Sequence, residues 1–301
     1  MKKVLIFAKV ACRIIAKVET LPKEGEDFQP ISTSYEIIGS AFSSASVFNK
    51  FNFDYELIAP IGTGVYGEYV TQYAEKQGIE LDHVNEGTQG VEYVLQDKQG
   101  KESGFVMPGS EYDFDESFVE YLDEEEISAV IAYSDLFCGS GADMLVDTIS
   151  RLDCPFYFLP NGNLENIEDT ILEDIYNLSP VLCLADQDIS FLTKNDDFNK
   201  EIEKIQTLTQ NAVVLWTKND GILYRDFSQD MHLEWEKTVD GDEHELTFLA
   251  FIVALISGVD VRNSLYFSKQ YLEKYIQSHK KLDDYDYSYL KQQLVHLITM
   301  K

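Results

Sequence analysis

Residues 129–133 read Ala129-Val130-Ile131-Ala132-Tyr133, a helical pattern runs from Gly141 to Arg151, and Phe156-Tyr157-Phe158-Leu159 follows. Each apolar run is too short for a helix and shows no polar alternation. That is the signature of a strand covered on both faces. A helix between two such strands is a crossover in a parallel sheet, with a right-handed connection. The rhythm extends outward. Val4-Leu5-Ile6-Phe7-Ala8 and Tyr55-Glu56-Leu57-Ile58-Ala59-Pro60 lie upstream; Val181-Leu182-Cys183-Leu184 and Ala212-Val213-Val214-Leu215 lie downstream. Ile222-Leu223-Tyr224 then reads as a closing hairpin strand. Helices are expected over Ala41–Asn49 and Glu68–Lys76, a glycine-bearing loop over Ile61–Gly67, and polar helix at the C-terminal end.

Two stretches break this rhythm. Residues 11–37 carry the turn Pro22-Lys23-Glu24-Gly25-Glu26 and then a mixed apolar and polar strand from Phe28 to Ile38. Residues 90–107 read as a hairpin around Asp97-Lys98-Gln99-Gly100. Both are extended ribbon. The expected organisation is α/β, with residues 1–10, 38–89 and 108–301 in the main domain and residues 11–37 and 90–107 in a small β lid.

The chain has 301 residues, 45% of them hydrophobic, enough for one sizeable core. Lys and Arg number 24 against 53 Asp and Glu, a formal net charge of -29. Nucleic acid and anionic membrane are therefore excluded as expected partners, by long-range repulsion. The run MKKVLIFAKVACRII is broken by Lys9 and Arg13, and reads as a first strand rather than a signal peptide. The longest apolar stretch, Leu246–Gly258, is too short to span a bilayer. Cys12, Cys138, Cys154 and Cys183 form no CxxC pair, which points to reduced thiols and a cytoplasmic location. The histidines show no HxH or HExxH spacing, so no dedicated metal site is expected. Cys138-Gly139-Ser140-Gly141, after the strand ending at Tyr133, is a glycine-rich turn with no matched base.

The order of these features resembles the ribokinase-like (PfkB) carbohydrate kinases along nearly the whole chain. Leu21-Pro22-Lys23-Glu24-Gly25-Glu26 is similar to that family's Pro-x-x-Gly-Glu turn. Gly39 falls at its Gly-Gly sugar loop. Ile61-Gly62-Thr63-Gly64-Val65-Tyr66-Gly67 resembles its Gly-Asp-x-x-Gly loop. Thr238-Val239-Asp240-Gly241-Asp242-Glu243-His244-Glu245, followed by Leu246–Gly258, sits where Asp-Thr-x-Gly-Ala-Gly-Asp and an apolar helix belong. The resemblance implies a three-layer α/β sandwich with a small β-sheet lid. It implies transfer of the γ-phosphate of ATP, with Mg²⁺, to a hydroxyl of a small sugar-like ligand. It also implies a homodimer through the lid, where Phe28, Tyr35, Tyr93 and Phe105 could bury against a partner.

The same alignment exposes departures. Counting back from Gly258 puts Glu245 at the catalytic Asp, the base that takes the hydroxyl proton; a one-gap alternative makes Asp242 the base. Glu is the right chemical type but one methylene longer, and a misplacement of ~1 Å can cost ~100-fold. Asp242, Glu243 and His244 replace the glycines that let phosphate approach bare backbone. Asp240, Asp242, Glu243 and Glu245 crowd that entrance, and a like-charge contact at about 4 Å costs around 4 kcal/mol at an effective dielectric of ~20. Mg²⁺ or protonated His244 would offset part of this. Equally, the run reads as an acidic helix start suited to the helix dipole. On the sugar side, Cys12 replaces an Asp, Phe42 fills space, and Gly39 and Ser43 remain as substrate-binding candidates. On the nucleotide side, Ala185-Asp186-Gln187-Asp188 keeps only Asp188 of Asn-x-x-Glu, and Trp216–Gly221 offers Lys218 and Gly221. Because all three motifs depart together, the expected function is a carbohydrate kinase impaired or altered in activity. A non-catalytic ligand-binding or regulatory protein of the same fold stands beside it. An enzyme using Glu245 or Asp242 with His244 in other acid-base chemistry also stays open.

Overall fold

The computed structural model describes residues 2–193, 198–236, 238–239 and 243–299. The first half runs β1 (Lys3–Phe7), β2 (Ala11–Lys17), β3 (Ser32–Ile38), α1 (Ser40–Phe51), β4 (Tyr55–Ile58), β5 (Ile61–Thr63), α2 (Gly64–Gln77), β6 (Val84–Thr88), β7 (Val91–Gln96), β8 (Glu102–Met107) and β9 (Ile127–Tyr133). The second half runs α3 (Ala142–Ser150), β10 (Phe156–Leu159), α4 (Asp169–Asn177), β11 (Val181–Ala185), α5 (Asp186–Leu192), α6 (Phe198–Thr209), β12 (Val213–Thr217), β13 (Gly221–Arg225) and β14 (Asp230–Glu234). It closes with α7 (His244–Ile256), α8 (Val261–Gln277) and α9 (Asp284–Thr299).

β1 shows why its strand class has no alternation. Val4 and Ile6 join a core with Phe48 of α1, Val70 of α2, Phe251 of α7, Leu272 of α8 and Leu290 of α9. Leu5 and Phe7 face the other way, against Leu145 of α3, Ile175 of α4 and Ile202 of α6. Both faces are dry from Val4 to Phe7, so every one of those residues is apolar. The result is three layers, helix on sheet on helix, in the expected α/β sandwich. The sheet has the order β14-β13-β12-β11-β10-β9-β1-β4. β4, β1, β9, β10, β11 and β12 are parallel, and β13 and β14 close it as antiparallel strands. The sheet thus continues one strand beyond the hairpin read from the sequence. α7 is buried all round from Thr247 to Ala254, which explains the apolar run at Leu246–Gly258 as a central core helix. No helix among the described residues is long and apolar enough to cross a membrane.

A second sheet, β3-β2-β7-β8, lies apart from the first. Cys12, Ile14 and Val91 form a buried cluster in it, with Tyr66 of α2 and Tyr93 packed on them. The Tyr66 and Tyr93 hydroxyls are 2.7 Å apart, and Arg13 pairs with Glu92 at 2.8 Å. The strand expected from Phe28 begins at Ser32. Residues 61–67 correct the expected loop. They are β5 and the first turn of α2, and the polar β6, unread in the sequence, pairs with β5. Gly62 is needed there for close approach, since a Cβ would lie 2.2 Å from Gln89 N. The buried Gln89 side chain accepts Gly62 N–H (2.9 Å) and donates to Val10 O (3.1 Å). The β7–β8 hairpin leaves the body at Gly90 and returns at Gly109. Both N–H groups donate to the buried Glu111 carboxylate, at 2.7 and 3.3 Å.

The chain passes from β1 outward to β4, then returns to place β9 on the other side of β1. Such a reversal opens a crevice at the carboxyl ends of the strands, here those of β1 and β9.

Candidate functional site

Four elements meet on one carboxylate in that crevice. Glu245 lies in the first turn of α7 and is half-buried. The Ser43 hydroxyl of α1 donates to its Oε1. The Tyr133 hydroxyl, at the end of β9, donates to the same oxygen at 3.3 Å. Asn161 Nδ2, in the loop after β10, donates to Oε2 at 3.4 Å. Ser44 Oγ supports Tyr133 from behind at 2.9 Å. Burial raises the Glu245 pKa and the nearby Asp135 charge adds to it; the three donors oppose this by favouring the ionised form. Of the residues singled out in the sequence, Ser43 and Glu245 are thus in direct contact. Asp242, the alternative base, lies outside the described residues.

A second polar cluster sits at the end of β1. Lys9 Nζ contacts Asp135 at 2.7 Å and the Tyr112 hydroxyl at 2.8 Å, over the Tyr112 ring at 4.5 Å from its centroid. Burial alone would lower the Lys9 pKa, but Asp135 and Tyr112 outweigh it and the net shift is upward. Gly39 backs this cluster. It precedes α1 with φ +111, and a Cβ there would lie 2.3 Å from Lys9 O. The glycine is therefore required by the backbone, and Ala41 N–H donates to Lys9 O at 3.2 Å. Cys12 is fully buried in the lid, and Phe42 packs edge-on against Tyr73.

On the other side of the crevice, Asp188 is turned inward. Its carboxylate accepts Ala185 N–H (3.0 Å) and Gly162 N–H (2.8 Å), tying α5 to the loop that carries Asn161. Burial pushes its pKa up to about 6, against the lowering effect of those two N–H groups. Lys218 N–H is held by Asp186 at 2.8 Å. Gly221 begins β13 at φ +142, where a Cβ would lie 2.1 Å from Leu233 O, so its glycine serves the hairpin. His244 opens α7 with its ring 5.7 Å from Trp216. Glu243, just before it, is buried and paired with Lys280. Nearby, Trp235 donates its indole N–H to Thr217 O (2.7 Å), and Val239 N–H donates to Lys218 O (3.0 Å). Between Trp235, Val239, Leu272 and Ile276 lies a hollow of about 280 Å³, edged by Glu236 and Glu273. Among the described residues, no group of three or more His, Cys, Asp or Glu converges on a metal-sized position.

Lys9, Tyr133, Asp135 and Asn161 went unread in the sequence as site residues. Each follows or ends a parallel strand, the position where α/β sheets place ligand contacts. The Asn161-Gly162 turn after Leu159 was the available signal for one of them.

No protein-family model matches the sequence, and no curated protein matches it. Solved structures do. Ribokinase from Thermotoga maritima is 18% identical with TM-score 0.78, covering 99% of this chain and 100% of that one. Arabidopsis thaliana ribokinase, complexed with ribose and ATP, is 15% identical with TM-score 0.77, covering 96% and 98%. The Methanocaldococcus jannaschii nucleoside kinase is 14% identical with TM-score 0.72, covering 98% and 99%. The chain therefore has the ribokinase-like (PfkB) fold, from end to end.

Proposed function

We propose that this protein is a divergent carbohydrate kinase of the ribokinase fold, impaired or altered in activity. It takes a small sugar-like alcohol at the Glu245 end of the crevice and ATP at the Trp235 end. The observation that carries this reading is the state of Glu245. An ionised carboxylate has about four lone-pair positions, and Ser43, Tyr133 and Asn161 fill three of them. One position on Oε2 remains for a substrate hydroxyl. The hydroxyl proton passes to that oxygen as the hydroxyl attacks phosphorus. The partly apolar hollow beside Trp235, lined also by Val239, Leu272 and Ile276, suits a heteroaromatic base. Lys218, Gly221, His244 and Asp188 are assigned to the nucleotide side, and Gly39 and Ser43 to the sugar side. ATP, when bound with Mg²⁺, would supply the phosphoryl group.

What the side chains already do supports the reading of impairment. Asp188 is engaged by backbone N–H groups, and Glu243, buried at the start of α7 and paired with Lys280, puts a side chain where bare glycine backbone would receive phosphate. The self-paired Lys9–Asp135 cluster favours the second reading, a non-catalytic ligand-binding or regulatory protein. The test is ADP release with Mg-ATP and ribose, fructose or adenosine. Slow turnover abolished by Glu245→Gln is expected. Rates of about 1–100 s⁻¹ would reject impairment, and turnover untouched by Glu245→Gln would reject the assigned base. The exposed Tyr35, Phe105, Val106 and Met107 on the lid support pairing with a second copy of this chain.

A further inference from the structure

Asn161 combines features that each carry a cost. Its backbone is left-handed at φ 52, in a chain where Gly162 follows at φ 80. Glycine adopts that conformation without strain, and asparagine is among the few residues with a side chain that reach it at modest cost. Its amide orientation is fixed by chemistry. The Glu245 carboxylate only accepts, so the amide must turn its N–H₂ toward Oε2 and its carbonyl away. The carbonyl is then buried with no hydrogen-bond partner among the described residues. A buried acceptor left unpartnered so that the same amide can reach a carboxylate needs a reason in function.

We infer that Asn161 is a positioning residue for Glu245: its amide holds Oε2 and so fixes which lone pair of the carboxylate is offered to a substrate. The inference rests on Glu245 being the proton acceptor. The charged and titratable groups around that carboxylate are Tyr133 and Asp135 from the β9 end, with Lys9 paired to Asp135, and Glu243 and His244 from its own segment. Asn161 is held in turn by the next residue, because Gly162 N–H is fastened to Asp188. The loop after β10 and α5 therefore act together on one carboxylate oxygen, Oε2.

The test uses the full chain carrying ¹³C-labelled glutamate, with Glu245→Gln to assign the resonance. Asn161→Gly removes the amide while keeping the left-handed backbone. Asn161→Asp keeps the shape and replaces the donor by a second carboxylate. The Glu245 midpoint should rise by about half a pH unit or more in Asn161→Gly, and further in Asn161→Asp. Ribose phosphorylation should lose about tenfold in kcat with little change in KM. The melting temperature of Asn161→Gly should hold. An unmoved Glu245 midpoint, or collapse of the fold in both variants, overturns the inference. If the wild type phosphorylates no sugar, the kinase reading falls, and the titration still decides the role of Asn161.

Discussion

Asp188 is a carboxylate that loses by being charged. Its folded pKa of about 6 stands above the ordinary 3.8, because burial outweighs its two N–H donors. A group with a raised folded pKa favours the native state when protonated. Its contribution is full below pH ~4 and is lost as pH rises through ~6. A shift of this size corresponds to about 3 kcal/mol. Urea denaturation from acid to neutral pH should therefore show stability falling in that window. Asp188→Asn should flatten the fall, and an unchanged pH profile in that variant would remove Asp188 as its source. At this scale the sequence was half legible. Glu245, Ser43 and Asp188 came from position in a resembled motif. Lys9 and Asn161 did not, because their meeting partners depend on strand order, which no local pattern encodes.

Among the elements, the two ends of the lid hairpin are fastened to the body by one buried side chain, while β7 is also laddered to β2. Glu111 is 1% exposed and receives both N–H groups that flank β7 and β8. Hydrogen bonds to a charged group contribute roughly 1.5–3 kcal/mol each. Glu111→Ala should thus open the hairpin preferentially. Amide exchange over residues 91–107 should speed up by about tenfold or more, while α7 stays protected. Equal acceleration in both would mean global unfolding instead. The elements themselves were largely readable. β1, β9, β10 and β11 announced themselves as unbroken apolar runs because both their faces are buried. β5 and β6 did not. Gly62 is small to let backbones touch, and β6 is polar and mostly exposed, so neither carries a hydrophobic signal.

For the whole molecule, charge and shape pull against each other. A net charge of -29 repels a second copy, while Phe105, Val106 and Met107, each more than half exposed, leave apolar surface on the lid. Salt should decide the balance, since screening weakens repulsion and leaves burial intact. Sedimentation velocity should show a dimer fraction that grows between about 20 mM and about 500 mM NaCl. A monomer at every concentration would set the lid pairing aside.

The junction of the hairpin with the body has a practical corollary. A Cβ on Gly109 would lie only 2.3 Å from Gly90 N, so the chain leaves and re-enters almost at the same point. Residues 91–108 are thereby a cassette with touching ends. They could be exchanged for another hairpin whose first strand restores the ladder to β2, with the flanking backbone rejoined in place.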